Sequence, residues 1–167
     1  MSEDVTERLG LPLLWAGQAQ KEIFHNEALT LIDLSVQPDV VAVGTIQPPV
    51  DPSPGDAWIV GMGASGDWEG RDTMLAGWTG GGWRFIAPRP GMTVWSIADT
   101  GFAVFRDEQW RVGEIDGRRL IIDGTQVVAA QQPAIANPEN GEIIDTEARN
   151  VLNAILYAIR AHGLIAS

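Results

Sequence analysis

Cysteine is absent from the chain, which excludes a disulfide framework, a thiol nucleophile and a cysteine-based zinc site and leaves stability to packing. Lysine is reduced to Lys21 alone, and 11 basic against 22 acidic side chains give a net charge of −11. With no basic stripe to neutralise phosphates, general nucleic-acid binding and binding to an anionic membrane are excluded. No apolar run approaches the ~18 residues of a membrane span. The first fifteen residues open with acids and resemble neither a secretory signal nor a transit peptide, so the protein is expected to be made and kept in the cytoplasm. Histidine is scarce too. His25 and His162 lie at opposite ends, no H-E-x-x-H spacing exists, and no metal or other cofactor is expected.

What is present is enough for a core. The 167 residues are 45% hydrophobic and 20% charged, a composition that folds as one domain with terminal extensions. Residues 1–9 are polar and expected to be flexible. A helix is expected over 18–36, ended by Pro38. Short runs rich in Val, Ile, Trp and Phe then follow at 40–46, 57–61, 74–79, 82–87, 92–97, 102–106, 109–112, 119–122 and 125–128, split by Gly- and Pro-rich clusters. Their connections are too short for parallel crossovers, so the pairing should be mostly antiparallel. Residues 129–144 read as a Gln-, Pro- and Asn-rich linker. A second helix is expected over 146–162, with Asp145 as N-cap, Glu147 in the first turn and Gly163 at the end. The fold class is α+β: a helix-plus-β-core domain over 10–128, the linker, and a C-terminal helix over 145–167.

Two motifs carry no chemistry on inspection. Gly61-Met62-Gly63-Ala64-Ser65-Gly66 matches G-x-G-x-x-G after a strand, but Asp67-Trp68-Glu69-Gly70 does not open the amphipathic helix that would hold a pyrophosphate, so it reads as a hairpin loop. The acidic sets Asp67/Glu69/Asp72, Asp107/Glu108 and Asp116/Asp123 sit in expected turns, where Asp hydrogen-bonds the backbone. No serine elbow or other nucleophile–base pair is present. Catalysis is not expected.

Seven tryptophans are unusual for this length. They can fill a small β core, or those such as Trp68, Trp78, Trp83 and Trp110 can face outward and stack on sugar rings. Exposure decides between the two. Along the first helix, Leu34, Leu31, Phe24, Ala28, Ile32, Val36 and Leu29 cover more than half of the circumference around Ile23, so the helix should be covered on more than one side. Gln20 and Glu27 fall in that apolar arc, where they need hydrogen-bond partners, and His25 or Asn26 can complete such a network.

The run Gly10-Leu11-Pro12-Leu13-Leu14-Trp15-Ala16-Gly17-Gln18-Ala19-Gln20-Lys21, followed by His25-Asn26-Glu27-Ala28-Leu29, is a specific order of mixed residues that amphipathicity alone does not produce. Pro54-Gly55-Asp56-Ala57-Trp58-Ile59-Val60, Gly66-Asp67-Trp68-Glu69-Gly70, Gly82-Trp83-Arg84-Phe85 and Ala87-Pro88-Arg89-Pro90-Gly91 continue it. Together they resemble a bacterial and prophage family of unknown function found in phage tail-fibre-like proteins and in head-spike and host-specificity proteins of gene transfer agents. The resemblance implies a virion structural component, a head-spike or fibre base or adaptor. Its partners would be other particle proteins such as capsid, spike or fibre, and it would support attachment to cell-surface polysaccharide. A small carbohydrate-binding module is the alternative.

The last helix adds an assembly signal. Ile144, Ala148, Val151, Leu152, Ile155, Leu156 and Ile159 form two adjacent apolar rows, more than one small sheet can cover. One row is expected on the parent domain and the other on a further copy or a particle protein, making the chain a homo-oligomer.

Overall fold

The computed structural model describes residues 4–15, 17, 21–128, 130–139 and 145–166. The chain divides into two compact units, Met1–Glu114 and Ile115–Ser167. The α+β class read from the sequence holds: two helices accompany mostly antiparallel sheets.

In the first unit, helix α1 (Lys21–Ser35) precedes two four-stranded sheets. One has the order β1 (Asp39–Val40), β6 (Thr93–Ser96), β7 (Gly101–Arg106), β8 (Gln109–Val112). The other runs β2 (Val43–Thr45), β3 (Ala57–Val60), β4 (Leu75–Thr79), β5 (Gly82–Ile86). The hairpins β3–β4, β4–β5, β6–β7 and β7–β8 are antiparallel. Two pairs run parallel, β1 with β6 and β2 with β3. The proline-rich loop 46–56 is long enough to return the chain for β2–β3 without a helix, a route the short connections did not suggest.

Strand β3 has all four residues buried because it is covered on both faces. Ala57 and Ile59 join Val40, Leu75, Val94 and Ala103 in a core formed between the sheets, while Trp58 and Val60 join Ala64, Trp68 and Ala76 in a second core on the other face. A 3-10 turn over Gly66–Trp68 drops Trp68 into that second core.

Residues 4–9, expected to be flexible, are tied down. Thr6 is buried, its N–H donates to the Leu11 carbonyl, and Leu13 N donates to Asp4 O, closing a loop over 4–13. The reason is a carboxylate on α1, described below.

The second unit holds the hairpin β9 (Leu120–Ile122) and β10 (Thr125–Val128), turned at Asp123-Gly124, and helix α2 (Thr146–Ala161). The hairpin is a separate two-stranded sheet that bonds to neither four-stranded sheet, so it leaves the β core to which the sequence assigned it and groups with the C-terminal helix. The Asp145 side chain caps α2 by accepting from Ala148 N at 2.9 Å, and Gly163 follows its end at φ 69°, as the sequence implied. Part of the expected linker is structured: Gln132 pairs with Ile165, and Arg160 donates to Asn137 at 2.9 Å.

Candidate functional site

Helix α1 is laid on its domain with its polar edge inward. Asp33 is 2% exposed, and its carboxylate accepts from Thr6 Oγ1 (2.8 Å), Arg8 N (3.0 Å) and Leu9 N (2.7 Å). A buried carboxylate is tolerated when several donors converge on it, and here backbone amides of a loop with no sheet to join supply them. Thr6 Oγ1 accepts in turn from Leu11 N, and Arg8 reaches Asp39 and the Gly55 carbonyl. Two turns earlier, Asn26 clamps Leu14 from both sides, accepting from its N–H at 2.9 Å and donating to its carbonyl at 3.0 Å.

Glu27 meets Arg84 of β5, whose Nε lies 2.7 Å from one carboxylate oxygen and 3.0 Å from the other. Arg84 also donates to the Gly81 and Trp83 carbonyls. These groups and Trp78, Thr79 and Leu34 wall a cavity of about 310 Å³ between the 4–13 loop, α1 and β4–β5. Of its polar walls, Asp33 and Asn26 are bonded to the N-terminal loop and Arg84 to Glu27 and its own hairpin. Leu11, Leu14, Asn26 and Glu27 of the N-terminal motif thus join Thr6, Arg8, Asp33 and Arg84 in a clasp that holds the helix to the 4–13 loop and to the sheet.

Glu27 has the partner that the sequence called for, at 42% side-chain exposure rather than in a closed core. Asn26 completes the network and His25 does not, because it points outward beside Leu14, Lys21, Phe24 and Ala28. Gln20 lies outside the described residues. Asp33, Thr6 and Arg8 were missed. The one trace of Asp33 in the sequence is an acid set between Ile32 and Leu34.

Part of the apolar arc of α1 is left bare, while Leu34 is buried and Leu29 and Leu31 are half-buried. Phe24 is 81% exposed and Ile32 48%, with Ala28 exposed between them. The helix expected to be covered on more than one side is covered on one.

The tryptophans form a packed cluster. Trp58, Trp68 and Trp83 stand with ring centroids 5.1–6.2 Å apart, and Trp78 lies 4.9 Å from Trp83, all tilted or edge-on. Trp68 is 0% exposed, which corrects its assignment as a sugar-stacking ring: no face is left for a ligand. Trp78 and Trp83 are half-buried in the same cluster. Trp110 is half-buried against Phe105 and donates its indole N–H to Thr73 O at 2.8 Å. No coplanar platform arises from these four.

The G-x-G-x-x-G loop is closed by its own chain. Asp72 accepts from Gly63 N and Ala64 N at 3.2 and 3.3 Å, so a carboxylate already occupies the amides that would meet a phosphate. In α2, Leu156 is buried and Ile159 half-buried, whereas Val151, Leu152 and Ile155 are exposed; Ile144 lies outside the described residues.

No curated protein matches the chain. Residues 25–111 match the family described as "Protein of unknown function (DUF2793)". The match runs from within α1 into β8, so it takes in Asn26, Glu27, Asp33 and Arg84 of the clasp and nearly all of both four-stranded sheets, and stops short of the 4–14 loop and the second unit. As it covers just over half of the sequence, the chain belongs to that family.

Proposed function

We propose that the chain is a non-catalytic building block of a phage-like particle, a gene transfer agent or prophage, serving as a head-spike or fibre base or adaptor that supports attachment to host cell-surface polysaccharide. Of the residues that carry the resemblance, Leu14, Asn26, Glu27 and Arg84 help to hold α1 in place. The observation that carries the reading is the outward apolar face of α1: a helix pinned by Asp33, Asn26 and Glu27 presents Phe24, Ala28 and Ile32 to solvent. Exposed apolar surface on a rigid element is the usual mark of a docking face. Tryptophans spent on the core favour a building block over a sugar-binding module.

The test is incorporation. Phe24→Asp with Ile32→Asp should leave the tryptophan near-UV signal of the first unit intact while removing the chain from purified particles. Normal incorporation of that variant, or particles that never contain the wild-type chain, would overturn the proposal.

A further inference from the structure

One aromatic pair of the first unit stands outside the tryptophan cluster. Trp95 on β6 and Phe102 on β7 face each other across the antiparallel ladder, with ring centroids 5.0 Å apart at an interplanar angle of 82°. They are 40% and 56% exposed, while their strand neighbours Val94 and Ala103 point the other way into the core. Two rings at a right angle make an open corner, and with Gln37, Pro38 and Thr93 they line a groove of about 370 Å³, within the range of small-ligand sites. The polar groups around it are uncharged and available. Among the described residues, neither the Gln37 amide nor the Trp95 indole N–H has a hydrogen-bond partner. Thr93 Oγ1 donates to Gly91 O at 3.2 Å and keeps its lone pairs as acceptors. Asp39, in register with Trp95, is paired with Arg8, and no charged side chain lines the groove, in a chain that carries −11. Gln37 is also held at φ 46°, a left-handed backbone that an L side chain adopts only at a cost, and such strain gathers at ligand clamps.

We infer that this corner binds a pyranose ring of a neutral polysaccharide, with the C–H face of the sugar on the Trp95 indole and its hydroxyls on the Gln37 amide and Thr93 Oγ1. An exposed ring beside uncharged donors and acceptors matches a ligand that is apolar on one face and hydroxylated around its edge. A phosphorylated ligand would call for a free cation, and Arg8 is already bound to Asp39. A protein partner engages about 20–30 residues, far more than a corner of two rings presents. Because both rings sit on paired strands, the corner is fixed before the sugar arrives. The inference deepens the attachment part of the reading above and rests on it for the ligand class. The four tryptophans that the sequence offered for sugar stacking, Trp68, Trp78, Trp83 and Trp110, have no share in it.

Electrophoresis of the purified full chain through native gels containing dextran, mannan or galactan reads binding as retardation, with the polyanion alginate as the control. At least one of the neutral glycans should retard the chain and alginate should not. Trp95→Ala and Phe102→Ala should each weaken that binding at least tenfold, with the near-UV signal of the tryptophan cluster intact. Gln37→Gly should raise the urea midpoint by relieving the backbone and yet weaken binding at least threefold, which a purely structural role for Gln37 would not produce. Retardation by none of the three neutral glycans would overturn the inference, and so would retardation that both ring variants leave unchanged. Particles should take up Trp95→Ala chains normally. A chain that binds glycan but never enters particles would overturn the particle reading and leave this inference standing, whereas a chain that enters particles and binds none of the neutral glycans would overturn this inference alone.

Discussion

Gly77 lies directly beneath Leu34: a Cβ placed on it would come within 2.4 Å of Leu34 Cδ2 and 2.6 Å of Cδ1. Leu34 is the one apolar side chain of α1 that is fully buried, and the missing side chain on β4 is its seat. Gly77→Ala should therefore cost about 2 kcal/mol by overpacking, and Leu34→Ala about 3 kcal/mol by leaving a void. The double variant should cost less than the sum by about 1 kcal/mol or more, since truncating Leu34 vacates the space that a methyl group in place of the Gly77 hydrogen needs. Urea unfolding followed by tryptophan fluorescence measures all three; strict additivity would show that the two sites do not share a seat.

Asp33 sets the path of the N-terminal loop. Asp33→Ala leaves Thr6 Oγ1, Arg8 N and Leu9 N without their acceptor, at a cost of about 3 kcal/mol, while Asp33→Asn keeps an acceptor oxygen and should cost about half as much. Amide exchange at Arg8 and Leu9 should accelerate in both. Unchanged exchange there would mean that the loop is held by other groups.

Both helices and nearly all strand positions were legible because local signals agreed: prolines and glycines bound the strands, Asp145 and Gly163 bracket α2, and alternation fills β6 as exposed, buried, exposed, buried. The orientation of α1 was not legible. A helical wheel assumes that the whole apolar arc turns inward, and here α1 meets a loop whose amides have no sheet to join as well as the sheet itself, so Asn26 and Asp33 turn inward beside Leu34 and Phe24 turns outward. The parallel pairs escaped for a related reason. Register between Val40 and Ser96 joins residues far apart in the chain, and a two-residue strand carries no periodicity.

The Glu27–Arg84 pair should matter less for stability than its central place suggests. At 30% and 42% side-chain exposure its charges remain hydrated, so Glu27→Ala should cost about 0.5 kcal/mol, well below the cost of stranding a buried group. Raising the salt concentration should reduce that cost further. Arg84→Ala should be the more damaging, because it also abandons the Gly81 and Trp83 carbonyls at the β4–β5 turn. Equal losses for the two variants at low salt would contradict this division of roles.

The β7–β8 turn can be improved. Arg106 pairs with Gln109, leaving Asp107 and Glu108 as a two-residue loop with φ of 47° and 60°, the left-handed geometry of a type I′ turn. An L side chain at such angles costs about 1–2 kcal/mol, less for Asp than for Glu because a short polar side chain can bond locally. Asn-Gly is the pair that suits this turn. Glu108→Gly, alone or with Asp107→Asn, should therefore stabilise the first unit by about 0.5–1 kcal/mol after the added entropy of the unfolded glycine is counted. The gain should appear as a higher urea midpoint with unchanged slope. Because neither Asp107 nor Glu108 belongs to the clasp on α1 or to the corner at Trp95, particle incorporation and glycan binding should stay as they are. A lower midpoint would mean that Glu108 makes a contact that offsets its backbone strain, and a change in incorporation would place this turn, beside the groove walled by Trp110 and Met62, in the docking surface.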